Sequence, residues 1–374
     1  MGKLSFDEIF DVQKQLNNEL SFLFKKNGIK NFRFISFGNS IGIGYSMVRT
    51  IKPLLLRNNS LPDIMKANEI NLDIHHFARS QNNNDEHLYS WIITNIKESI
   101  INNLNRLDFS NTPSSMISKG ISLDEVNEYF PVSINPDYGL QDLILESSND
   151  LANIIVYNGC TGSFIDNITR KGKLSQKFTY GIKRDIYGLE ATLKFIQINN
   201  RNNNCNTQVY LCGVPNFLGL NIGNIINNRL KKVAMRYANV VYVEPVKSKF
   251  LYSSIDNGVL KFDIHYDEIE YLEFNNNIID AINKNYLEVK ALIDIDRKLF
   301  KYSRGIETIN YHLLSDSNLI QSDIIKMIED EGIDNIYFYN KVKYYLINRF
   351  PYDFYYIGKD NICNSITKIY KRNN

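Results

Sequence analysis

The run Phe34-Ile35-Ser36-Phe37-Gly38-Asn39-Ser40-Ile41-Gly42-Ile43-Gly44 places a serine directly after an apolar stretch and a glycine. The pattern predicts a buried strand, a tight turn and the start of a helix. A serine at such a turn has its hydroxyl at the top of a sheet and its backbone N–H at the positive end of a helix. Both suit a nucleophile, because the dipole and the orphan amides favour the oxyanion formed when Ser40 attacks a carbonyl. Two other glycine motifs are excluded. A dinucleotide fingerprint needs a third glycine where Met47 stands, and a phosphate-binding loop needs a Gly-Lys-Ser/Thr ending that is missing here. A plain strand-to-helix turn of an α/β protein has the same local pattern.

A serine nucleophile needs a base. Of five histidines, His265 stands in the right place, in Lys261-Phe262-Asp263-Ile264-His265-Tyr266-Asp267, after the last strand of the expected sheet and before a helix. A loop at that edge can carry an imidazole over the mouth of the first strand, and imidazole titrates near neutrality. Asp263 or Asp267 could fix its tautomer. Other groups are less specific. His75, His76 and His87 with Asp85 and Glu86 match no strong metal-ligand motif and read as solvated, so no metal is expected. Cys160 has no histidine near it in sequence and reads as an inert thiol. Arg184 and Asp185 read as a surface ion pair.

The elements that must position these residues alternate. Ser5 with Glu8 forms a capping box before a helix carrying Ile9, Phe10, Leu16 and Leu20. Strands are expected at 32–37, 73–77, 154–157, 209–212 and 240–243. Helices are expected around Met47, Val48 and Ile51; Leu88, Trp91, Ile92 and Ile96; residues 140–145; Leu189, Leu193 and Ile196; Ile222, Ile226, Leu230, Val233 and Tyr237; and finally 267–282. Strands alternating with helices predict an α/β domain with a doubly wound parallel sheet flanked by helices, over residues 1–284. Sites in such sheets lie beyond the carboxyl ends of the strands. Residues 100–138, polar and holding Pro113, Pro131 and Pro136, read as an insertion or lid. Residues 285–374 read as a small C-terminal α+β module of two helices and a hairpin. For such an appendage, packing or homo-oligomer contact is expected ahead of nucleic-acid binding.

The chain has 374 residues, with Lys+Arg 43 against Asp+Glu 41. That balance argues against a polyanion partner. The asparagine runs at 82–84, 202–204 and 275–277 accompany abundant Lys, Ile and Tyr, and so read as composition rather than function. Cys160, Cys205, Cys212 and Cys363 show no Cys-x-x-Cys spacing and read as free thiols of a reducing compartment. Residues 1–20 carry Asp7, Glu8, Asp11 and Glu19, so no signal peptide is expected. No apolar run reaches the ~18 residues of a membrane span. A cytoplasmic location is the expectation.

Gly38-Asn39-Ser40 before Ile41-Gly42 resembles the Gly-Asp-Ser block of the SGNH (GDSL-type) hydrolases, with Asn39 where aspartate is usual. The segment 263–271 resembles that family's terminal Asp-x-x-His block, including the downstream tyrosine. Val209-Tyr210-Leu211-Cys212-Gly213-Val214-Pro215-Asn216 is similar to its penultimate-strand segment. The likeness runs through residues ~30 to 284 in order and spacing. It implies a flavodoxin-like three-layer fold and a serine esterase acting on a small or carbohydrate-linked acyl ester, without metal or organic cofactor. In that mechanism Ser40 is the nucleophile, His265 the base and Asp263 its support. The oxyanion hole would be built from the backbone N–H of Ser40, from Ser80 or Gln81 in place of a glycine, and from Thr161 or Asn158 in place of an asparagine. In the family the aspartate stands three residues before the histidine; here that position is Phe262. A second alignment takes 158–162 as the second block and 181–185 as the third, but leaves little chain before the strand at Val209. An acyltransferase using the same serine, and a non-catalytic binding protein on the same fold, are the alternatives.

Overall fold

The computed structural model describes residues 5–38, 59–76, 147–158, 196–215, 222–246, 252–256, 259–263 and 266–308, together with residues 186, 189 and 193. Its centre is a five-stranded, all-parallel sheet: β1 (Asn31–Gly38), β2 (Asn71–His76), β3 (Leu151–Asn158), β4 (Thr207–Cys212) and β5 (Val240–Val243). The strand order is β2-β1-β3-β4-β5. Apart from Leu151, every residue of β3 and β4 is buried, so both faces of these strands are covered, as expected where helices cover a parallel sheet. All five strands overlap the segments expected from their apolar runs, each extending at most three residues beyond the expected start or end.

Helix α1 (Phe6–Lys26) begins at the Ser5–Glu8 capping box. The Ser5 N–H donates to Glu8 Oε2 at 2.7 Å and the Glu8 N–H donates to Ser5 Oγ at 3.3 Å, so two N-terminal amides that the helix leaves unpaired find partners. Helix α2 (Leu61–Ala67) follows Ser60 and carries Pro62 in its first turn, where a missing N–H costs nothing. Helix α3 (Ile222–Arg236) lies between β4 and β5. An antiparallel pair, β6 (Tyr252–Asp256) and β7 (Val259–Asp263), leads to helix α4 (Glu268–Thr308).

Side chains alternate along each strand, so register assigns the two faces. Phe32 and Phe34 share a face with Ile154, and through it with Gln208 and Tyr210. Helices α1 and α4 cover that face. The Phe24 ring meets Phe32 edge-on at 5.1 Å and Tyr286 at 5.2 Å. Gln208 Nε2 donates to the Tyr286 carbonyl at 2.9 Å, and the Tyr210 hydroxyl donates to Gln208 Oε1 at 3.1 Å. Each such fully buried large apolar side chain contributes about 1.5–3 kcal/mol. The other face is covered by α3, whose Lys231 ammonium stands 4.8 Å from the centre of the Tyr242 ring.

Helix α4 corrects the expected end at 282: it continues to Thr308, and position 284/285, the expected domain boundary, lies inside it. Tyr286, Val289 and Ile293 belong to the same core as β1, β3 and β4. The helix runs antiparallel to the strands. Asn277 Nδ2 donates to the Glu244 carbonyl just beyond β5, at 3.3 Å, whereas Asp296 and Arg297 hold residues 200, 201 and 205 before β4. No helix among the described residues is long and apolar enough to cross a membrane. The insertion at 100–138, the helices expected around 47, 88–96 and 140–145, and the chain beyond 308 lie outside the described residues, as do Cys160, Arg184 and Asp185.

Candidate functional site

The strand order reverses at β1: the chain moves to β2 on one side and then to β3 on the other. In open α/β sheets such a reversal, beyond the carboxyl ends of the strands, is where ligands are generally taken. Gly38 ends β1 and Asn158 ends β3, and the two face each other in register.

The approach is closer than any side chain at 38 would permit. Gly38 has φ +131°, and a Cβ there would stand 2.0 Å from the Asn158 carbonyl oxygen and 2.4 Å from its carbon. The first glycine of the serine block is therefore demanded twice, by backbone conformation and by contact. Asn158 is 5 % exposed, and its Nδ2 has no hydrogen-bond partner among the described residues. A buried amide donor without an acceptor is costly, of order 1–3 kcal/mol. Asn158 stands at the carboxyl end of β3, beside the end of β1.

Three strand ends come together at this edge. Ser40 follows Gly38 by two residues, Thr161 follows Asn158 by three, and Ser80 and Gln81 follow His76, the end of β2, by four and five. Ser40, Ser80, Gln81, Thr161 and His265 themselves lie outside the described residues. Asp263 is the last residue of β7 and pairs with Tyr252 in a hairpin that the sequence reading did not include. Asp256 faces Val259 in that hairpin, so two residues join the strands, and they are Asn257-Gly258, the commonest hairpin pair. That was the available signal.

The chain after His265 is firmly held. Tyr266 is 1 % exposed and packs edge-on against Tyr271, with ring centres 5.3 Å apart, and against Phe274 at 5.4 Å. Its hydroxyl pKa is raised well above the usual value, first by burial and then by Tyr271, Cys212, Glu270 and Tyr242. Cys212 ends β4, so Tyr266 belongs to the carboxyl edge of the sheet. β1 and β4 are separated by β3 alone, which sets their ends roughly 10 Å apart. Asp267, one of the two carboxylates considered for the imidazole, is a helix cap. Its Oδ1 accepts from the Glu270 N–H at 2.7 Å, and its own N–H donates to Glu270 Oε2 at 3.0 Å.

His75 corrects the expectation of a solvated histidine: it is buried in β2, at 7 % exposure. His75 Nε2 lies 2.8 Å from Asp73 Oδ1, and Arg33 Nε donates to Asp73 Oδ2 at 2.9 Å. Burial raises the Asp73 pKa, but the His75 and Arg33 contacts outweigh it and leave the carboxyl below its ordinary value. The described residues contain no group of three metal-ligand side chains; His87, Asp85 and Glu86 lie outside them. Burial raises the thiol pKa of both Cys205 and Cys212, and neither is paired in a disulfide, so neither is poised as a nucleophile.

Comparison of the chain with protein-family models finds no match, and comparison with curated proteins finds none either.

Proposed function

We propose that the protein is a serine hydrolase of SGNH type that acts on a small or carbohydrate-linked acyl ester. The observation that carries this reading is the meeting of Gly38 and Asn158 at the reversal of strand order, with the buried Asn158 Nδ2 lacking an acceptor among the described residues. The order β2-β1-β3-β4-β5 is that of flavodoxin-like doubly wound sheets, which supports the same assignment.

In this mechanism Ser40 Oγ attacks the acyl carbon while His265 takes the hydroxyl proton. The carbonyl π electrons move to its oxygen, which Asn158 Nδ2 and the backbone N–H of Ser40 stabilise, with Ser80 or Gln81 supplying a further N–H. The ester C–O bond then breaks, and the leaving alcohol takes the proton from His265. Water attacks the acyl-serine, His265 accepts its proton and returns it to Ser40, and the carboxylic acid departs. An alcohol acceptor in place of water would make the same intermediate an acyltransferase. Asn158 takes precedence over Thr161 as the side-chain donor because its amide is buried at the end of β3 and has no acceptor among the described residues. No step needs a metal or an organic cofactor.

The test is labelling by a fluorophosphonate probe together with hydrolysis of p-nitrophenyl acetate. Labelling of the wild type that disappears in Ser40→Ala and His265→Ala supports the hydrolase. A folded wild type that neither labels nor turns over a panel of acyl esters supports the second reading, a binding protein on the same fold. Asn39, Ser80, Gln81 and Thr161, the departures from the family blocks, favour that second reading.

A further inference from the structure

We infer that the start of α4 is a positioning device for His265, in which Asp267 acts as a helix cap and not as the acid of a triad. The inference rests on the hydrolase reading. His265 directly precedes Tyr266 in the chain, and Tyr266 is buried. Tyr266 is sealed between Tyr271 and Phe274. The next residue closes a reciprocal capping box, Asp267 with Glu270, and the Asp267 carbonyl accepts from the Tyr271 N–H at 2.9 Å. On the other side the chain is tied by β7, which ends at Asp263 opposite Tyr252. Only residues 264 and 265 lie between these two anchors.

Each anchor removes a different freedom. The aromatic socket fixes where the backbone leaves the helix, and the cap fixes the direction in which it leaves. A base displaced by about 1 Å can lose as much as 100-fold in rate, so a device that sets the backbone beside the base is worth its ordering cost. Asp267 Oδ1 accepts from the Glu270 amide at 2.7 Å, which turns the carboxylate toward the end of its own helix. Asp263 remains the candidate for the supporting acid.

The chain contains its own control, because α1 begins with the same kind of box, Ser5 with Glu8, at the start of a helix that supplies no site residue. The experiment compares Asp267→Ala, Asp267→Ser and Ser5→Ala for kcat and KM on p-nitrophenyl acetate, with Tm measured alongside. Loss of either cap should lower Tm to a similar extent. Asp267→Ala should lower kcat by about 10- to 100-fold with KM within about twofold. Asp267→Ser keeps a capping oxygen without a charge, and should return kcat to within about threefold of the wild type. Ser5→Ala should leave kcat unchanged. Equal kcat in Asp267→Ala and Ser5→Ala overturns the positioning role and leaves the hydrolase standing. A serine variant as slow as the alanine variant overturns it too, by making the Asp267 carboxylate itself necessary. A wild type with neither labelling nor turnover overturns the hydrolase reading and this role with it.

Discussion

The carbonyl oxygen of Asn158 stands where the side chain of any residue but glycine at position 38 would have to stand, 2.0 Å from the place of its Cβ. Two parallel strands therefore end in close backbone contact at the carboxyl edge of the sheet. Gly38→Ala should push β1 and β3 apart at that edge. We expect a lower Tm and loss of fluorophosphonate labelling together, because Ser40 follows the displaced backbone by two residues. The strain at φ +131° adds to the clash. An alanine variant with wild-type Tm and wild-type labelling would show that the site does not depend on this contact.

Much of the sheet was legible because its strands are continuous apolar runs bounded by polar residues; residues 154–157 and 240–243 need nothing else to be recognised. The length of α4 was obscured by Lys284 and Asn285, although Ile282, Tyr286, Val289 and Ile293 keep the helical spacing and all are buried. The asparagines of 275–277 were misleading in a different way. Composition accounts for their frequency but not for their placement. Asn276 Nδ2 donates to the Ile9 carbonyl at 3.1 Å, and Asn283, further along the same helix, donates to the Leu16 carbonyl at 2.9 Å, so these amides join α4 to α1. A single sequence cannot reveal a carbonyl that lies 267 positions away. At the site, spacing brought out Gly38 and Asn158, but only the strand order puts them side by side, and nothing local marks Tyr266 as an anchor.

The buried pair Arg201–Asp296 lies at the opposite, amino edge of the sheet. Arg201 Nε and Nη2 meet the two carboxylate oxygens at 2.6 and 2.5 Å, and both side chains are at most 5 % exposed. Asn200, next to Arg201, pairs with both backbone groups of Thr207 at the start of β4. Asp296→Ala would take from the buried Arg201 guanidinium the carboxylate that meets two of its nitrogens, at a cost of about 3–5 kcal/mol. The double variant Arg201→Met/Asp296→Leu should recover most of that, since it removes both charges. Urea denaturation of the three proteins checks this. Similar losses in the single and double variants would mean that the pair itself, not the stranded charge, carries the stability.

The Arg33–Asp73–His75 chain should give the protein an acid-sensitive contribution. The Asp73 pKa is lowered in the folded state, so its stabilisation is present above the ordinary carboxylate range and is lost as pH falls through the folded value. Asp73→Asn should therefore lower the urea midpoint at pH 7, and the gap to the wild type should narrow once the pH falls below about 4. A gap of constant size from pH 7 down to pH 3 would show that the carboxylate charge contributes nothing.

Asn158 separates function from stability. Its Nδ2 is buried and finds no acceptor among the described residues, and a buried donor left unpaired costs stability. Leucine has nearly the same shape and no polar atom to satisfy. Asn158→Leu should hold Tm or raise it. If the amide serves the oxyanion, the same change should lower kcat by about 10²–10³-fold with little effect on KM, as for removal of other single oxyanion donors. Thr161→Val is the companion measurement, and should then cost much less. A fall in Tm with kcat unchanged would make Asn158 a structural residue of the β1–β3 junction. Loss in Thr161→Val alone would transfer the donor's role to that hydroxyl. The opposed movement of Tm and kcat is the signature to look for, because a residue kept for packing moves both in one direction, whereas a donor held ready for a substrate oxygen destabilises the protein until that oxygen arrives.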